Sequence, residues 1–296
     1  MNIAITGANS SVGQSLLQAL AEKPQWQVNA GARSQSALTQ LPQAANIHPR
    51  TIDYGDPDKL AGFLQNADSV VHLAGILIPT AHSDYQSANV DATAAVVDAA
   101  VAAGVKHIIF ISVIGADEKS ANSYFRSKGA AELVILGASV PATVIRTPIL
   151  LGPTTAGARS LLNSAATSQT RVLGGGNYEM RPLDTGDLVQ AVLNCCQRGG
   201  DRKIYELVGP EAISYRDLIA AMAAKQGRTV TVKSAPIALA KCMAAIFGLV
   251  RRGGITPTVI DVITKDERVD KNAAAELGVS LTPLPQTLDK ILKAQP

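Results

Sequence analysis

The chain has few aromatic residues and few charges: aromatics make up 4% of its 296 residues and charged residues 17%. This low share of charge, beside 47% hydrophobic residues, excludes a disordered chain and indicates a substantial buried core. A net charge of +3 is too small at this length to indicate nucleic-acid binding. The length fits one large α/β domain or two modest ones.

Cysteines and long apolar runs are also scarce. Cys195, Cys196 and Cys242 are odd in number and lack metal-ligand spacing, so we expect buried, reduced thiols and no metal site. The first strand begins at Asn2, so we expect no signal peptide. The longest apolar run, residues 236–250, is too short to span a bilayer. These features predict a soluble, cytoplasmic protein.

The opening stretch, MNIAITGANSSVG, has the order of a strand, a glycine turn and a helix start. A pyrophosphate must approach the backbone closely, so the turn needs small residues, and the free N–H groups of the helix start then meet the anion. The pattern is Gly-x-x-Gly-x-x-Gly with Ser10 at the middle position; the alternative is an ordinary turn with two glycines. The stretch therefore predicts a site for a dinucleotide cofactor. We predict that this cofactor contacts Gly7, Asn9, Ser10, Ser11, Val12 and Gly13.

Apolar strands then alternate with helices. Strands are predicted at residues 2–6, 26–32, 47–53, 68–73, 106–112 and 140–146. This alternation predicts an α/β fold, a doubly wound parallel sheet of the Rossmann type with strand order 3-2-1-4-5-6. We expect residues 1–152 to form this NADP(H)-binding domain. Residues 153–296 should form a smaller, mixed α/β substrate region, with a helix near 184–198 packing back on the sheet.

The strand ends predict which dinucleotide binds. Arg33, followed by Ser34, ends the second strand, where an acidic residue would bind a ribose 2′-hydroxyl and an arginine suits a 2′-phosphate. No Asp or Glu lies nearby, so we predict NADP(H) in preference to NAD(H); the alternative is a solvated arginine. Asp53, at the C-terminal end of the third strand, can accept a hydrogen bond from the adenine amino group or cap a helix. The other predicted contacts at strand ends are Tyr54, Leu73, Ala74 and Gly75.

Tyr124 and Lys128 are four residues apart on a predicted helix and therefore share one face. A tyrosine pKa near about 10 is too high for proton exchange at neutral pH, and a nearby ammonium lowers it. The same lysine can hold ribose hydroxyls. The pair predicts a general acid/base that serves an alcohol or ketone while hydride moves to or from a nicotinamide. The alternative is a half-buried tyrosine beside a solvated lysine.

Together TGANSSVG, HLAG, Asn89, the strand ending in Ser112, YFRSK and RTPILLGP resemble the short-chain dehydrogenase/reductase superfamily, in its extended and atypical, epimerase/dehydratase-like branches. Within these the chain is most similar to the group of the NADPH-holding accessory subunit of respiratory complex I. The likeness includes RPLDTGDLVQAV and ELGVSLTPLPQTLDKIL in the C-terminal half. It implies that Asn89 and Lys128 contact the cofactor, that Tyr124 transfers the proton and that Ser112 assists.

Two departures from that superfamily leave alternatives open. Its catalytic Ser or Thr usually follows the position of Ser112, where this chain has Val113, and the segment 113–124 is shorter than in sugar-nucleotide enzymes. The first hypothesis is an NADP(H)-dependent oxidoreductase acting on a small, rather apolar carbonyl or alcohol. The second is a non-catalytic NADPH-binding module, a redox sensor or an assembly or stability factor of a membrane complex. A nucleotide-sugar epimerase or dehydratase is a weaker third.

The C-terminal half offers fewer signals. Arg159 or Arg181 can bind an anionic substrate group, or both are ordinary surface arginines. Residues 236–252 combine an apolar run with Arg251 and Arg252 at its end. One interpretation of this segment is an interfacial helix that contacts a membrane or a large partner. The interpretation that we favour from the sequence is a helix over the substrate pocket or a dimer contact. Both a monomer and a dimer are compatible with the sequence.

Overall fold

The structure, a computed structural model, describes residues 1–250 and 254–295. In the first half the elements are β1 (Asn2–Thr6), α1 (Ser11–Ala21), β2 (Gln27–Ala32), α2 (Gln35–Leu38), β3 (Ile47–Thr51), α3 (Pro57–Leu64), β4 (Ser69–His72), a π-helical turn (Gln86–Asp91), α4 (Ala92–Ala102), β5 (His107–Val113), α5 (Ser123–Gly137), β6 (Ala142–Thr147) and β7 (Leu150–Leu151). In the second half they are α6 (Ala156–Ala165), β8 (Gln169–Leu173), a 3-10 turn (Gly174–Gly176), β9 (Glu179–Met180), β10 (Leu183–Asp184), α7 (Thr185–Arg198), β11 (Lys203–Glu206), β12 (Ile213–Ser214), α8 (Tyr215–Lys225), β13 (Thr231–Ala235), α9 (Ile237–Val250), α10 (Pro257–Ile263) and α11 (Leu284–Lys293).

Within the described ranges, seven parallel strands form the central sheet in the order β11-β6-β5-β4-β1-β2-β3. The first six strands of the chain therefore have the predicted order 3-2-1-4-5-6, and the doubly wound fold is confirmed. Strand β1 lies between β2 and β4, and its Ile3 is in register with Val28 of β2 and with Ser69 of β4. The additional strand β11 comes from the C-terminal half and extends the sheet beside β6.

Both faces of the sheet are covered by helices, which is why its central strands are apolar throughout. On one face α1 and α7 contribute Leu17 and Leu188 to a cluster that includes Ile109 of β5. On the other face α3, α4 and α5 surround Ile108 and Phe110 of the same strand. Because successive residues of a strand point to opposite faces, β5 joins both clusters. The carboxyl ends of the strands are left open at one edge.

A third apolar cluster lies among α6, α8 and α11 in the C-terminal half. Near it, in the described residues, short strands pair in twos, β10 with β7, β12 with β9 and β13 with β8. Ser214 caps helix α8, and its hydroxyl accepts the Asp217 N–H at 3.1 Å. The C-terminal half is thus divided between two regions. Helix α7 packs on the large sheet and strand β11 extends it, whereas the remaining elements form a smaller assembly.

Several details differ from the sequence prediction. Asn89 lies in the π-helical turn that precedes α4. Cys195 and Cys196 are buried, but Cys242 is exposed on α9, so the expectation of a buried thiol is wrong there. Residues 1–250 and 254–295 include no helix with the length and apolarity needed to cross a membrane. The same residues contain no cluster of three or more His, Cys, Asp or Glu side chains suited to a metal ion.

Candidate functional site

The turn between β1 and α1 depends on two glycines that the surrounding backbone approaches closely. Gly7 has a φ of +74°, and a Cβ at this position would lie 3.0 Å from the backbone nitrogen of Ala74. A Cβ on Gly13 would lie 2.5 Å from the carbonyl oxygen of Ala8. The turn therefore packs directly on the end of β4, and it presents backbone rather than side chains to the open edge of the sheet.

Ser10 caps helix α1. Its Oγ accepts the Gly13 N–H at 3.0 Å, which leaves the hydroxyl hydrogen available to a ligand. In the described part of the chain, the N–H groups of Ser11 and Val12 in the first helical turn meet no acceptor. Free N–H groups at a helix start attract an anion, so this turn has the donors that a pyrophosphate needs.

A cleft of about 310 Å³ opens on this turn. Eight of the predicted cofactor residues line it: Gly7, Asn9, Ser10, Arg33, Tyr54, Leu73, Ala74 and Gly75. The rest of the wall comes from residues that the sequence analysis did not single out: Ala32, Ile52, Ile76, His82, Ser83, Ser87, Ala88 and Ala92. Most of these belong to the segment after β4, which carries no motif. Its position at the open edge was the one available signal.

Arg33 stands at the rim of the cleft, at the end of β2. Its side chain is exposed, and among the described residues it forms no ion pair. Ser34 is used locally, because its hydroxyl accepts the Ala37 N–H at 3.3 Å and caps α2. Burial raises the pKa of Tyr54 to about 12 although the Arg33 charge opposes it, so the phenol is neutral. A neutral ring and a free guanidinium suit an adenosine with a 2′-phosphate.

Asp53 lies outside the lining of the cleft. Its Oδ1 accepts the Gly55 N–H at 2.9 Å and stabilises a turn. The cap of α3 is Asp56 instead, which accepts the Lys59 N–H at 3.1 Å. The contact between Asp53 and adenine therefore stays a prediction.

Asn89 fastens the segment after β4 to helix α5. Its Oδ1 accepts the Ile76 N–H at 2.8 Å, and its Nδ2 donates to Ser127 Oγ at 2.9 Å. A Cβ on Gly75 would lie 3.0 Å from Asn89 Oδ1 and 3.9 Å from Lys128 Nζ. The absence of a side chain at Gly75 thus brings the lysine ammonium next to the wall of the cleft.

Lys128 is 5% exposed. Its Nζ donates to the Ile111 carbonyl at 3.0 Å and lies 4.1 Å from the centre of the Phe110 ring. Burial lowers the pKa of Lys128 to about 8, and the Glu132 charge opposes this shift. The ammonium is therefore held at a defined place but has few polar partners, which makes it available to ribose hydroxyls.

Tyr124 is buried, with its ring 5.8 Å from that of Tyr85. Burial raises the pKa of Tyr124, and Tyr85 adds to the rise. The expectation that Lys128 lowers this pKa is therefore wrong. Desolvation of the buried phenolate is the largest cause of the rise, and the Lys128 ammonium donates its hydrogen bond to the Ile111 carbonyl.

Ser112 lies in β5 in register with Arg146 of β6, so both side chains point to the same face of the sheet. Arg146 forms an ion pair with Glu132 of α5 at 2.6 Å, which identifies that face as the α5 side. The Ser112 hydroxyl is buried there, and in the described ranges it has no hydrogen-bond partner. Neither Ser112 nor Tyr124 belongs to the lining of the cleft, so their catalytic roles stay predictions.

His72 of the HLAG motif is buried behind the cleft. Its Nδ1 is 2.6 Å from Thr6 Oγ1, and its Nε2 is 3.1 Å from Thr93 Oγ1. Burial, with a contribution from the Lys128 charge, lowers the pKa of His72 to about 3. The ring is therefore neutral and joins β1, β4 and α4 under the site.

Comparison with known proteins places the chain in a family. Residues 7–172 match a family described as NAD(P)H-binding. Ceramide reductase of Caulobacter vibrioides is 30% identical over 166 residues, which are 56% of this chain and 51% of that protein. The mitochondrial NADH dehydrogenase (ubiquinone) 1 alpha subcomplex subunit 9 of Arabidopsis thaliana is 25% identical over 252 residues, 81% of this chain and 62% of that protein. The chain spans about half to three fifths of the length of these relatives.

The crystal structure of a Citrobacter sp. triphenylmethane reductase complexed with NADP(H) superposes with a TM-score of 0.76 at 24% identity. It covers 98% of this chain and 99% of that chain, and at this identity the likeness shows the fold alone. The family match, in contrast, extends over more than half of the residues. The chain therefore belongs to the NAD(P)H-binding family, as its resemblance to short-chain dehydrogenases/reductases predicted.

Proposed function

We propose that the protein is an NADP(H)-dependent oxidoreductase of the short-chain dehydrogenase/reductase type, which moves a hydride between NADP(H) and a small, rather apolar carbonyl or alcohol. One observation carries the proposal. The cleft has the backbone of Gly7 and Gly75 as its floor, an exposed Arg33 at its rim and Lys128 directly behind Gly75. The relatives named as reductases support the class of reaction.

Each part of the dinucleotide has a partner in this proposal. Ser10 and the free N–H groups of Ser11 and Val12 hold the pyrophosphate. Arg33 forms charge-assisted hydrogen bonds to the 2′-phosphate. Lys128 holds the hydroxyls of the nicotinamide ribose. When bound, the cofactor supplies or accepts the hydride.

Tyr124 acts as the general acid in the direction of reduction. Its raised pKa keeps the phenol protonated, and the protonated form is the one that gives a proton to a carbonyl oxygen as hydride arrives. The Ser112 hydroxyl lies on the α5 side of β5, so we assign it a supporting part and expect Ser112→Ala to be milder than Tyr124→Phe.

A non-catalytic NADPH-binding module is the second candidate. It is favoured by Val113 at the usual position of a catalytic hydroxyl and by the relative named as a subunit of NADH dehydrogenase. In such a module the cleft would bind NADPH as a redox signal or as a stabilising ligand. A nucleotide-sugar epimerase remains the third candidate.

The decisive experiment is a screen of apolar ketones, aldehydes, quinones and UDP-sugars with NADPH, run on the wild type and on Tyr124→Phe. Tyr85→Phe is the matched control, because the Tyr85 ring lies beside Tyr124 while its hydroxyl donates to the Leu77 carbonyl at 2.8 Å. Turnover that Tyr124→Phe abolishes and Tyr85→Phe retains supports the oxidoreductase. Tight NADPH binding with no turnover of any compound would instead establish the module.

A further inference from the structure

Helix α9 carries a row of apolar side chains that point away from the protein. Leu239, Met243, Ile246 and Phe247 are 58%, 49%, 57% and 61% exposed. Their spacing of four, three and one residues places them on one side of the helix, and we call this set the outer face of α9. Single exposed apolar residues are ordinary, but a contiguous row of large ones indicates a surface that binds something.

The sequence around the outer face of α9 is basic. Residues 218–260 contain no Asp or Glu, and their basic residues are Lys225, Arg228, Lys233, Lys241, Arg251 and Arg252, of which the last two lie outside the described residues. These six charges exceed the net charge of +3 of the whole chain. Two of them are offset by pairing, Lys225 with Asp289 and Lys241 with Asp261. An apolar row beside an excess of positive charge is the composition of a helix that lies on an anionic lipid surface.

Charge and length select among the possible occupants. A second copy of the chain, docked through the same face, would bring two identical sets of positive charges together. A helix of 14 residues is about 21 Å long, too short to cross a bilayer but long enough to lie in its interface. We propose that the outer face of α9, with its basic surroundings, binds an anionic membrane surface.

This surface is connected to the helix that carries Tyr124. The ion pair between Lys241 and Asp261 joins α9 to α10. Asn122 then donates to the Thr258 carbonyl of α10 at 3.1 Å, while its Oδ1 accepts the Tyr124 N–H at 3.0 Å. Membrane binding would therefore place the candidate site close to the lipid. The proposal itself does not depend on hydride transfer.

Sedimentation with vesicles tests the proposal. The full-length protein with NADPH is mixed with vesicles of phosphatidylcholine alone or of phosphatidylcholine with phosphatidylglycerol. We expect binding to the anionic vesicles, and we expect the double change Ile246→Ser and Phe247→Ser to weaken it about tenfold or more. Leu133→Ser is the matched control, because Leu133 is 54% exposed on α5 and lies outside the outer face of α9. It should bind as the wild type does.

A second pair of changes tests the charges. Arg251→Gln with Arg252→Gln should weaken binding to the anionic vesicles about fivefold for each charge, and added salt should reduce the difference. NADPH affinity and circular dichroism confirm that each variant is folded. Equal binding to both kinds of vesicle, or undiminished binding of folded Ile246→Ser/Phe247→Ser, would overturn the proposal. A second result would also overturn it: the wild type binds neither kind of vesicle, and light scattering shows a dimer that Ile246→Ser/Phe247→Ser dissociates.

Discussion

The Rossmann sheet and the smaller C-terminal assembly are held together by different interactions. In the sheet, most buried contacts are apolar, and the turn after β1 depends on glycines that the backbone approaches closely, from Ala8 at Gly13 and from Ala74 at Gly7. In the C-terminal assembly, buried and half-buried carboxylates join segments far apart in the chain. Glu267, for example, accepts the N–H groups of Ile149 and Arg181, both at 3.0 Å.

Asp184 shows the second kind of contact most fully. Its Oδ1 accepts the Gly186 N–H at 2.8 Å and caps α7. Its Oδ2 accepts from Thr287 and Lys290 of α11, both at 2.9 Å. One carboxylate therefore stabilises a helix of the large sheet and attaches the C-terminal helix to it. A substitution in the sheet should therefore act mainly on its immediate surroundings. A substitution of a carboxylate in the C-terminal assembly should act on the contact between segments that are far apart in the chain.

The largest expected difference between the two regions is in how their contributions to the free energy of unfolding depend on pH. The folded pKa of His72, about 3, lies below the value of 6.5 for an unperturbed histidine, so the unfolded state binds a proton first. The stability contributed by neutral His72 is complete above pH 6.5 and is lost between pH 6.5 and 3, a change on the order of 4 kcal/mol. The effect of Glu267 has the opposite sign. Burial raises the pKa of its carboxyl in the folded state, so its contribution to the free energy of unfolding falls as the pH rises.

Urea unfolding of the wild type and of His72→Asn between pH 7 and 4 measures this difference. The free energy of unfolding should fall less steeply with acid in the variant. His48→Asn is the control, because His48 is an exposed histidine on edge strand β3. Identical slopes for the wild type and His72→Asn would contradict the assignment of acid sensitivity to the buried ring.

Gly13→Ala should be the most damaging small change in the Rossmann region. The new Cβ would be 2.5 Å from the Ala8 carbonyl oxygen, so the backbone of the turn must shift, at a cost of about 3 kcal/mol. Gly62→Ala is the control, since its Cβ meets nothing within 4 Å and an alanine favours helix α3. Denaturant titration and NADPH fluorescence should show loss of stability and affinity in the first variant only.

Arg33→Ala should change which dinucleotide binds while leaving the fold intact. Loss of charge-assisted hydrogen bonds to a 2′-phosphate costs about 1.5 to 3 kcal/mol, or roughly 10- to 150-fold in NADPH affinity. The affinity for NADH should change little. Calorimetric titration of both dinucleotides measures this, with Arg171→Ala on exposed strand β8 as the control. An equal loss for NADPH and NADH would rule out the 2′-phosphate assignment.

Asp184→Asn should weaken the attachment of α11 without lowering the affinity for NADPH. Removing the charge weakens the contact to half-exposed Lys290, and we expect a loss of about 2 kcal/mol in the free energy of unfolding. Asp289→Asn, which breaks an exposed pair with Lys225, should cost about 0.5 kcal/mol or less. NADPH affinity should stay unchanged in both variants. Loss of NADPH binding in Asp184→Asn would show that the two regions are coupled.

Much of the large sheet was predictable. Strand β1 has its predicted bounds, and the strand order follows from the alternation of strands and helices. These features depend on patterns within a few residues. The joining of β11 to the sheet was not predictable, because four residues with no distinctive pattern pair with a strand that lies far earlier in the chain.

The candidate site divides in the same way. The glycine turn and Arg33 follow from local sterics and from the end of a strand, and both line the cleft. The wall of the cleft from Ile76 to Ala92 carries no motif. The Asp53 side chain is hydrogen-bonded to Gly55, and the Asn89 side chain is hydrogen-bonded to Ile76 and Ser127. Which partner a polar side chain meets depends on residues that only folding brings near.

The amino-acid sequence by itself determined a parallel, doubly wound sheet and a glycine turn at its open edge, because the period of apolar residues and the bulk of a Cβ act over short distances. Only the tertiary structure decided the protonation of Tyr124, Lys128 and His72, the side of the sheet to which Ser112 points and the exposure of the outer face of α9. Desolvation and side-chain direction are set by every group packed around a residue, and most of these groups are remote in sequence.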